Sequence, residues 1–197
     1  PLAALSWAVL LHDIGKPAVR RVDDEGRIMF WHHDEVGVAM ADAIVRRLCM
    51  SRRFSHYLGV LILNHLRLGF LVRESPLSRR ALVRYRRAVE PFVYESVVLS
   101  LADRLATRGE RTTARSMARH YRLARRVWLE MPKETLPLPL GGGDVMELLG
   151  ENEGPRIGAA LAALREEVDA GEVHDSEEAR AFIRAWAQRT PEDRSGA

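Results

Sequence analysis

A histidine and an aspartate stand side by side in the stretch LLHDIGKP, where an apolar run ends. His12 and Asp13 fall in the last turn of a predicted helix, because Gly15 followed by Pro17 is a typical helix stop. The carboxyl end of a helix carries partial negative charge, so Asp13 costs ~0.3–1 kcal/mol there unless a cation lies nearby. A divalent metal ion would be such a cation, and an imidazole with a carboxylate suits Mg, Mn, Ni, Co or Fe. The structural alternative is a capping histidine beside an aspartate that pairs with a nearby arginine.

Three further residues of the same types follow along the chain. His33 lies in FWHHDEVG just before a predicted helix, His65 ends an apolar helix in LILNHLR, and Asp103 lies within another helix in LSLADRLAT. A buried carboxylate without a partner costs several kcal/mol, so Asp103 is expected to be paired or bound to metal. The structural alternatives are a helix cap for His33 and a satisfied core histidine for His65. For Asp103 the alternative is a salt bridge to Arg104 or Arg108.

Composition limits the class of protein. The chain has 197 residues, of which 47% are hydrophobic, enough for one compact core or a main domain with a small appendage. The single cysteine, Cys49, excludes an intramolecular disulfide, and with no visible secretory signal it predicts a cytoplasmic protein. No apolar run reaches the ~20 residues that span a bilayer, so no membrane association is predicted. The formal charge is +3 and nearly all cations are arginines, which fits phosphate binding or a genome-wide habit.

Helical periodicity extends over most of the chain and alternating strand patterns are nearly absent, so the fold is predicted to be all-α. Predicted helices lie at 1–14, 34–50, 53–66, 77–88, 92–107, 111–131, 144–149, 155–170 and 176–188. Residues 15–31 are predicted to form a loop with a turn at 24–26, and proline and glycine concentrate at 131–144. The predicted organisation is a helical bundle at 1–131, a linker at 132–143, a C-terminal helical module at 144–190 and a disordered tail at 191–197. Because the chain starts at Pro1 inside an apolar pattern, its first helix is expected to be truncated.

Arginines are concentrated on two predicted helices, in the stretches RRALVRYRR and RSMARHYRLARR. Tyr85, His120 and Tyr121 are interleaved with them. Such basic faces are typical of surfaces that follow an RNA backbone and stack on its bases. The alternative is an ordinary solvated helix surface. Under the RNA-binding interpretation, the expected contacts are Arg84, Arg119 and Arg122.

Taken in order, four short patterns resemble the HD-domain metal-dependent phosphohydrolases. The patterns are H-D-I-G-K from His12 to Lys16, F-x-x-H-x-x-x-G from Phe30 to Gly37, N-H at Asn64 and His65, and A-D at Ala102 and Asp103. The resemblance implies a helical bundle in which His12, Asp13 and Asp103 bind one divalent ion. It further implies that His33 and His65 bind a second ion or contact the substrate phosphate.

The implied chemistry is hydrolysis of a phosphoester. A divalent ion lowers the pKa of bound water from ~15.7 toward ~7 and polarises the phosphoryl oxygen. A histidine, either His33 or His65, suits protonation of the leaving oxygen, because the ordinary imidazole pKa of ~6.5 lies near working pH. Lys16, with Arg20 or Arg21, is expected to neutralise charge on the phosphate.

A closer resemblance covers almost the whole chain, to the HD and C-terminal region of bacterial tRNA nucleotidyltransferases and poly(A) polymerase-like proteins. The stretch FWHHDEVGVAMADAIVRRL is similar to that group's form of the third HD motif. The stretch LPLPLGGGDVMELLGENEGPRIGAALAALREEVDAGEVHDSEEARAFI is similar to its C-terminal region, which is associated with RNA binding. The resemblance implies RNA, tRNA in particular, as a partner, and 2′,3′-cyclic phosphates, 2′-nucleotides or RNA ends as substrates. The simpler alternative is a small helical subdomain that completes the core.

Two departures from that group's pattern bear on function. The chain has no Gly-Ser turn followed by paired carboxylates on a strand, so it is not expected to polymerise nucleotides alone. The group also has a histidine on the helix before the His-Asp pair, which this chain does not contain, so the metal site is expected to lack one ligand. Two functions follow: a phosphohydrolase that trims RNA ends, or a non-catalytic RNA-binding body and tail of a larger nucleotidyltransferase. A hydrolase of free deoxynucleotides is a third, weaker interpretation.

Overall fold

The computed structural model describes residues 2–73, 77–107, 113–130 and 136–188. These ranges are 72% helical and contain almost no strand, so the all-α prediction is confirmed. The elements are α1 (Leu2–Leu11), α2 (Lys16–Val19), β1 (Arg21–Val22), β2 (Ile28–Met29), α3 (His33–Arg47), α4 (Arg52–Asn64), α5 (Arg67–Leu71), α6 (Arg79–Val89), α7 (Val93–Ala106), α8 (Ala114–Arg125) with a π-helical turn (Arg126–Glu130), α9 (Gly142–Leu149), α10 (Pro155–Ala170) and α11 (Ser176–Gln188). The predicted tail at 191–197 and the start of the predicted linker lie outside the described residues. None of the helices in the described ranges has both the length and the apolar character needed to cross a membrane.

The chain divides into two compact units. The first comprises residues 1–77 and 84–131, and the second comprises residues 78–83 and 132–197. The second unit therefore includes the first residues of α6, which the sequence pattern assigned to the bundle at 1–131. Within the second unit, an Arg80 guanidinium nitrogen lies 2.6 Å from both carboxylate oxygens of Glu167. This bidentate contact ties the early turn of α6 to α10.

The core of the first unit is built around α4, which packs against α1, α3 and α7. Leu58, Leu61 and Ile62 follow the i, i+3, i+4 spacing of one helix face and are fully buried. The helix starts where the Ser51 side chain accepts a hydrogen bond from the Phe54 backbone N–H. The other buried apolar residues of this core are Leu5, Ala8, Leu11, Ala41, Val45, Tyr57 and Leu99.

The segment predicted as a loop after Gly15 contains the short helix α2 and an antiparallel hairpin. Arg21 pairs with Met29 and Val22 with Ile28, so each strand has only two residues. A strand of that length cannot show an alternating hydrophobic pattern, which explains why the sequence pattern did not reveal it. The turn is held by Asp23, whose Oδ1 accepts hydrogen bonds from two backbone N–H groups in the turn.

The second unit has its own core between α9, α10 and α11. Gly150 and Gly171 end α9 and α10 with φ values of 64° and 73°, which is the left-handed region that favours glycine. Pro155 occupies the first turn of α10, where its missing N–H costs nothing. The buried apolar residues are Leu140, Val145, Ile157, Ala160, Leu164, Val168, Val173, Ala179, Ile183 and Trp186.

Candidate metal centre

Close backbone packing brings the turn with the His-Asp pair against the start of α3. A Cβ atom on Gly15 would lie 2.1 Å from the His33 carbonyl oxygen and 2.8 Å from the Gly37 nitrogen. A Cβ on Gly37 would in turn lie 3.2 Å from Ile62 Cγ2 of α4. Gly15 has right-handed φ and ψ values of −75° and −17°, so its role here is to leave room and not to adopt a left-handed turn. These two glycines position the His-Asp turn beside His33.

Backbone carbonyl groups orient the rings of three histidines. His12, His33 and His65 each place Nδ1 against the carbonyl oxygen three residues earlier, at 2.8, 2.7 and 2.6 Å respectively. Because a carbonyl oxygen only accepts hydrogen bonds, each Nδ1 must carry the proton. In the neutral ring the Nε2 lone pair is then available, which is the usual arrangement of a metal-binding histidine.

The three Nε2 atoms converge on the carboxylate of Asp13. Asp13 Oδ1 lies 3.4 Å from Nε2 of His33 and 3.6 Å from Nε2 of His65, and these two nitrogens are 3.4 Å apart. Asp13 Oδ2 lies 3.2 Å from His12 Nε2 and accepts a hydrogen bond of 2.6 Å from Lys16 Nζ. Asp13 therefore stands between His33 and His65 on one side and His12 and Lys16 on the other.

Asp103 joins the cluster through His12, because its Oδ1 lies 3.6 Å from His12 Nε2. The side chain is 31% exposed, and the neighbouring Leu105 is 67% exposed. Asp103 is thus half-buried, and its neighbour in the structure is His12. Of its two expected arginine partners, Arg104 donates to Ser116 Oγ at 3.0 Å, and Arg108 lies outside the described residues.

Electrostatics show how strongly the cluster attracts positive charge. The carboxylates of Asp103 and Asp13 raise the pKa of the His12 imidazole to about 10, against the effect of burial. The close approach of the His12 imidazole lowers the pKa of Asp103. Burial opposes ionisation of Asp13, but the neighbouring His12, His65 and Lys16 hold the pKa of this carboxyl well below its usual range. A site that binds a proton this tightly also favours a metal cation.

The donor set fits a divalent ion. Among the described residues, the buried atoms His12 Nε2 and Asp13 Oδ1 have no hydrogen-bond partner. Lone pairs that face each other repel unless a proton or a metal ion lies between them. Asp13, His33 and His65 place one ligand atom each within 4.8 Å of one another. Two imidazole nitrogens with a carboxylate oxygen suit Mn, Fe, Co or Ni.

A cleft of about 490 Å³ opens from this centre. Asp13, His65 and Asp103 line this cleft, together with Lys16 and Arg119. Among the described residues, four other arginines that were predicted to bind phosphate or RNA do not line this cleft: Arg20, Arg21, Arg84 and Arg122. Arg20, Arg21 and Arg122 are exposed elsewhere on the first unit.

Several residues of the cleft escaped the sequence interpretation. Ser100, Arg104 and Thr107 line it beside Asp103, with the i, i+3, i+4, i+7 spacing of one helix face. That spacing of polar groups around an aspartate is the signal that would have identified them. His120, predicted on an exposed basic face, is instead 3% exposed, and its Nε2 lies 3.0 Å from Ser100 Oγ. Tyr85 is likewise buried, at 1% exposure, whereas Tyr121 is exposed.

Comparison with known proteins defines the class. The HD domain family matches residues 2–108, more than half of the chain, so this chain belongs to the HD domain family. Among individual proteins, it is 37% identical over 191 residues to an A-adding tRNA nucleotidyltransferase of Deinococcus radiodurans, covering 95% of this chain and 42% of that protein. It is 38% identical over 182 residues to a CC-adding tRNA nucleotidyltransferase of Thermus thermophilus, covering 91% of this chain and 39% of that protein. The chain thus spans about two-fifths of these relatives, and the predicted family is confirmed.

Proposed function

We propose that this HD domain is a divalent-metal-dependent phosphohydrolase that acts on RNA phosphoesters: 2′,3′-cyclic phosphates, 2′-nucleotides or RNA ends. One observation carries the proposal: His12, His33 and His65 are fixed by backbone carbonyls with Nε2 turned toward Asp13. Such a cluster, opening into a cleft, is suited to metal-assisted hydrolysis. The similarity to two tRNA nucleotidyltransferases supports RNA as the source of the phosphoester.

The side chains that would hold the ion are Asp13, His33 and His65, with His12 and Asp103 adjoining them. When bound, the ion would supply a Lewis acid that polarises the phosphoryl oxygen and makes a nearby water more acidic. Of the two roles that the sequence left open for His33 and His65, ion binding is the better supported. Their Nε2 atoms lie 3.4 Å apart, and both face Asp13 Oδ1.

Lys16 is placed to bind the reacting phosphate. Its ammonium group lies 2.6 Å from Asp13 Oδ2 and lines the cleft, while the side chain remains 37% exposed. The flexible stem lets the ammonium group donate to a phosphate oxygen seated beside Asp13. Lys16 would then offset negative charge on the phosphoryl group as the leaving oxygen departs.

The test combines metal analysis with hydrolysis assays. The full chain is loaded with Mg, Mn, Co or Ni and assayed on 2′,3′-cyclic AMP, 2′-AMP and bis(p-nitrophenyl) phosphate. We expect Asp13→Ala to lose more than half of the bound metal and to lower kcat/KM at least a hundredfold, because Asp13 contacts every histidine of the cluster. Asp24→Ala, in the exposed hairpin turn, is the matched control and is expected to leave both quantities unchanged. Equal metal content and equal rates in wild type and Asp13→Ala would sink the proposal.

A second candidate is a non-catalytic RNA-binding body and tail of a tRNA nucleotidyltransferase. The observation that favours it is the extent of the similarity, which covers 95% of this chain and therefore both units, not only the part with the cleft. The predicted RNA contacts at Arg20, Arg21, Arg84 and Arg122 belong with this candidate as well. Tight tRNA binding by a wild-type protein that hydrolyses none of the three substrates with any metal would favour it over the phosphohydrolase.

A further inference from the structure

Two helices, α7 and α8, supply polar side chains that line the cleft. On α7, Ser100, Arg104 and Thr107 line the cleft along the same face as Asp103. On α8, Ser116, Arg119 and His120 line it with i, i+3, i+4 spacing, so they also share one helix face. The wall is therefore made of regular elements, which hold side chains more precisely than loops do.

Cations outnumber carboxylates among the described residues that line the cleft. Both carboxylates that line it belong to the candidate metal centre, where Asp13 and Asp103 lie next to His12. All other charged groups that line the cleft, among the described residues and apart from histidines, are cations. These cations are Lys16, Arg73, Arg104 and Arg119. A ligand that fills the cleft thus meets both the candidate metal site and several cationic groups, which favours more than one negative charge.

Arg104 is tied to the start of α8. One of its guanidinium nitrogens donates to Ser116 Oγ at 3.0 Å. Ser116 itself is fixed by a capping box with Thr113, in which the Ser116 N–H donates to Thr113 Oγ1 and the Thr113 N–H donates to Ser116 Oγ. This network orients Arg104 along the cleft wall, and Arg119 lies one helical turn further on the same face of α8.

The guanidinium groups of this wall match the chemistry of a phosphodiester, because the planar fork of an arginine pairs with two phosphate oxygens. The Ser116 hydroxyl donates to the Thr113 carbonyl oxygen at 2.9 Å and accepts from Arg104, so it serves to orient Arg104. The cleft volume of about 490 Å³ falls within the ~300–1,000 Å³ of sites that hold small organic ligands. The cleft is therefore large enough to hold a terminal nucleotide.

We propose that Arg104 and Arg119 form a second phosphate subsite, with Ser116 orienting Arg104, and that the subsite binds the phosphodiester on the 5′ side of the terminal nucleotide while the terminal phosphate occupies the metal centre. The subsite makes the substrate the end of an RNA strand and not a mononucleotide. The inference rests on the proposed function for the assignment of the terminal phosphate to the metal centre. The contact between the subsite and the phosphodiester is tested separately, by a binding measurement.

The test is a titration calorimetry comparison of two ligands with the full chain. One ligand is the dinucleotide ApAp, which carries the open 3′-phosphate that hydrolysis of a cyclic phosphate leaves. The other is the same molecule with its internal phosphodiester replaced by a neutral methylphosphonate. We expect wild type to bind ApAp at least tenfold more tightly than the neutral analogue, because only ApAp presents a charge to the arginine wall.

In Arg119→Gln and Arg104→Gln this affinity ratio is expected to fall to twofold or less. Arg119→Gln is the decisive variant, since Arg119 is exposed and its replacement leaves the Arg104–Ser116 hydrogen bond in place. Arg115→Gln is the matched control, an exposed arginine of α8 outside the residues described as lining the cleft, and it is expected to keep the wild-type ratio.

Different outcomes would contradict the phosphate subsite and the phosphohydrolase function. A wild-type ratio near one, including no measurable binding of either ligand, overturns the subsite even if cyclic phosphates are hydrolysed. An unchanged tenfold ratio in Arg119→Gln also overturns it. A tenfold ratio that is lost in Arg119→Gln, in a protein that hydrolyses nothing, supports the subsite and contradicts the phosphohydrolase.

Discussion

The chemistry of the candidate centre depends on which nitrogen of each histidine carries a proton. Backbone carbonyls fix this choice for His12, His33 and His65, because each accepts a hydrogen bond from Nδ1. The carbonyl acceptor lies three residues earlier in each case, so the pairing is local and follows from helical or turn geometry. The remaining Nε2 atoms then meet at Asp13 without further adjustment of the rings.

A single residue of the cleft wall, His120, makes stability depend on pH. Burial, with Arg104 adding to it, lowers the pKa of His120 below its ordinary value of 6.5. Below about pH 6.5 the unfolded chain then binds more protons at this site than the folded protein, so the contribution of neutral His120 to folding is lost as the pH falls. A His120→Gln variant, which cannot be protonated, is expected to be destabilised less at pH 5 than at pH 7.5.

Urea unfolding of wild type and His120→Gln at the two pH values measures this effect. The raised pKa of His12 acts in the opposite direction, because its protonated form is favoured in the folded protein. The pH dependence of the wild-type stability therefore combines the opposing effects of His12 and His120. The difference in free energy of unfolding between wild type and His120→Gln isolates the effect of His120. A larger loss of stability in the variant at pH 5 than at pH 7.5 would contradict the assignment.

Among the elements, the contact of the His-Asp turn with α3 is the most constrained. Gly15 leaves no room for a side chain, since a Cβ would lie 2.1 Å from a backbone oxygen of His33. We expect Gly15→Ala to lower the free energy of unfolding by about 2–3 kcal/mol, because the two elements must move apart. The same movement displaces His33 from Asp13, so bound metal is expected to fall as well. Thermal unfolding and metal analysis measure the two effects.

Gly158→Ala is the matched control for that prediction. Gly158 lies inside α10, where a Cβ would meet nothing within 4 Å. Alanine is a better helix former than glycine, so this variant is expected to gain up to about 1 kcal/mol. Equal stability and equal metal content in Gly15→Ala and wild type would show that the close approach of the two backbones is not needed.

The observed helices agree with the predicted ones where the sequence contains clear helix start and stop residues. The predicted helices at 155–170 and 176–188 match α10 and α11, because Pro155 and Gly171 mark the two ends of α10. The helix predicted at 111–131 is instead α8 followed by a π-helical turn, and its first residues lie outside the described ranges. Five residues are too few for a change from α-helical to π-helical pitch to alter the hydrophobic periodicity, so only the structure revealed the π-helical turn.

For the whole molecule, the distribution of charge matters more than its sum. The formal charge is only +3, but the cleft wall and the exposed faces present arginines. Under the proposal that the chain binds tRNA, we expect this affinity to fall at least tenfold between 50 and 200 mM salt, because each phosphate contact releases bound counterions. Replacement of an arginine proposed to contact RNA, as in Arg122→Gln, is expected to reduce the salt slope by about one unit.

Arg27→Gln serves as the control in these salt titrations. Arg27 is exposed in the hairpin but already forms ion pairs with Asp23 and Glu25, so its replacement is expected to leave the slope unchanged. Binding is measured by filter retention or anisotropy at several salt concentrations. An affinity that does not change with salt would rule out phosphate contacts as the basis of tRNA binding.

The sequence by itself determined the helical class, most helix positions and the set of His and Asp residues that meet in space. The helical class and the helix positions follow from periodicity and caps, which act within a few neighbouring residues, whereas the grouping of the His and Asp residues was implied by the resemblance to the HD-domain family. Only the tertiary structure decided that Asp103 reaches solvent, that His120 is buried, and that Ser100, Arg104 and Thr107 line a cleft. Exposure and convergence depend on which helix faces pack together, and residues far apart in the chain determine that packing. The close approach at Gly15 shows the same division, because the glycine is visible in the sequence but the backbone it faces is not.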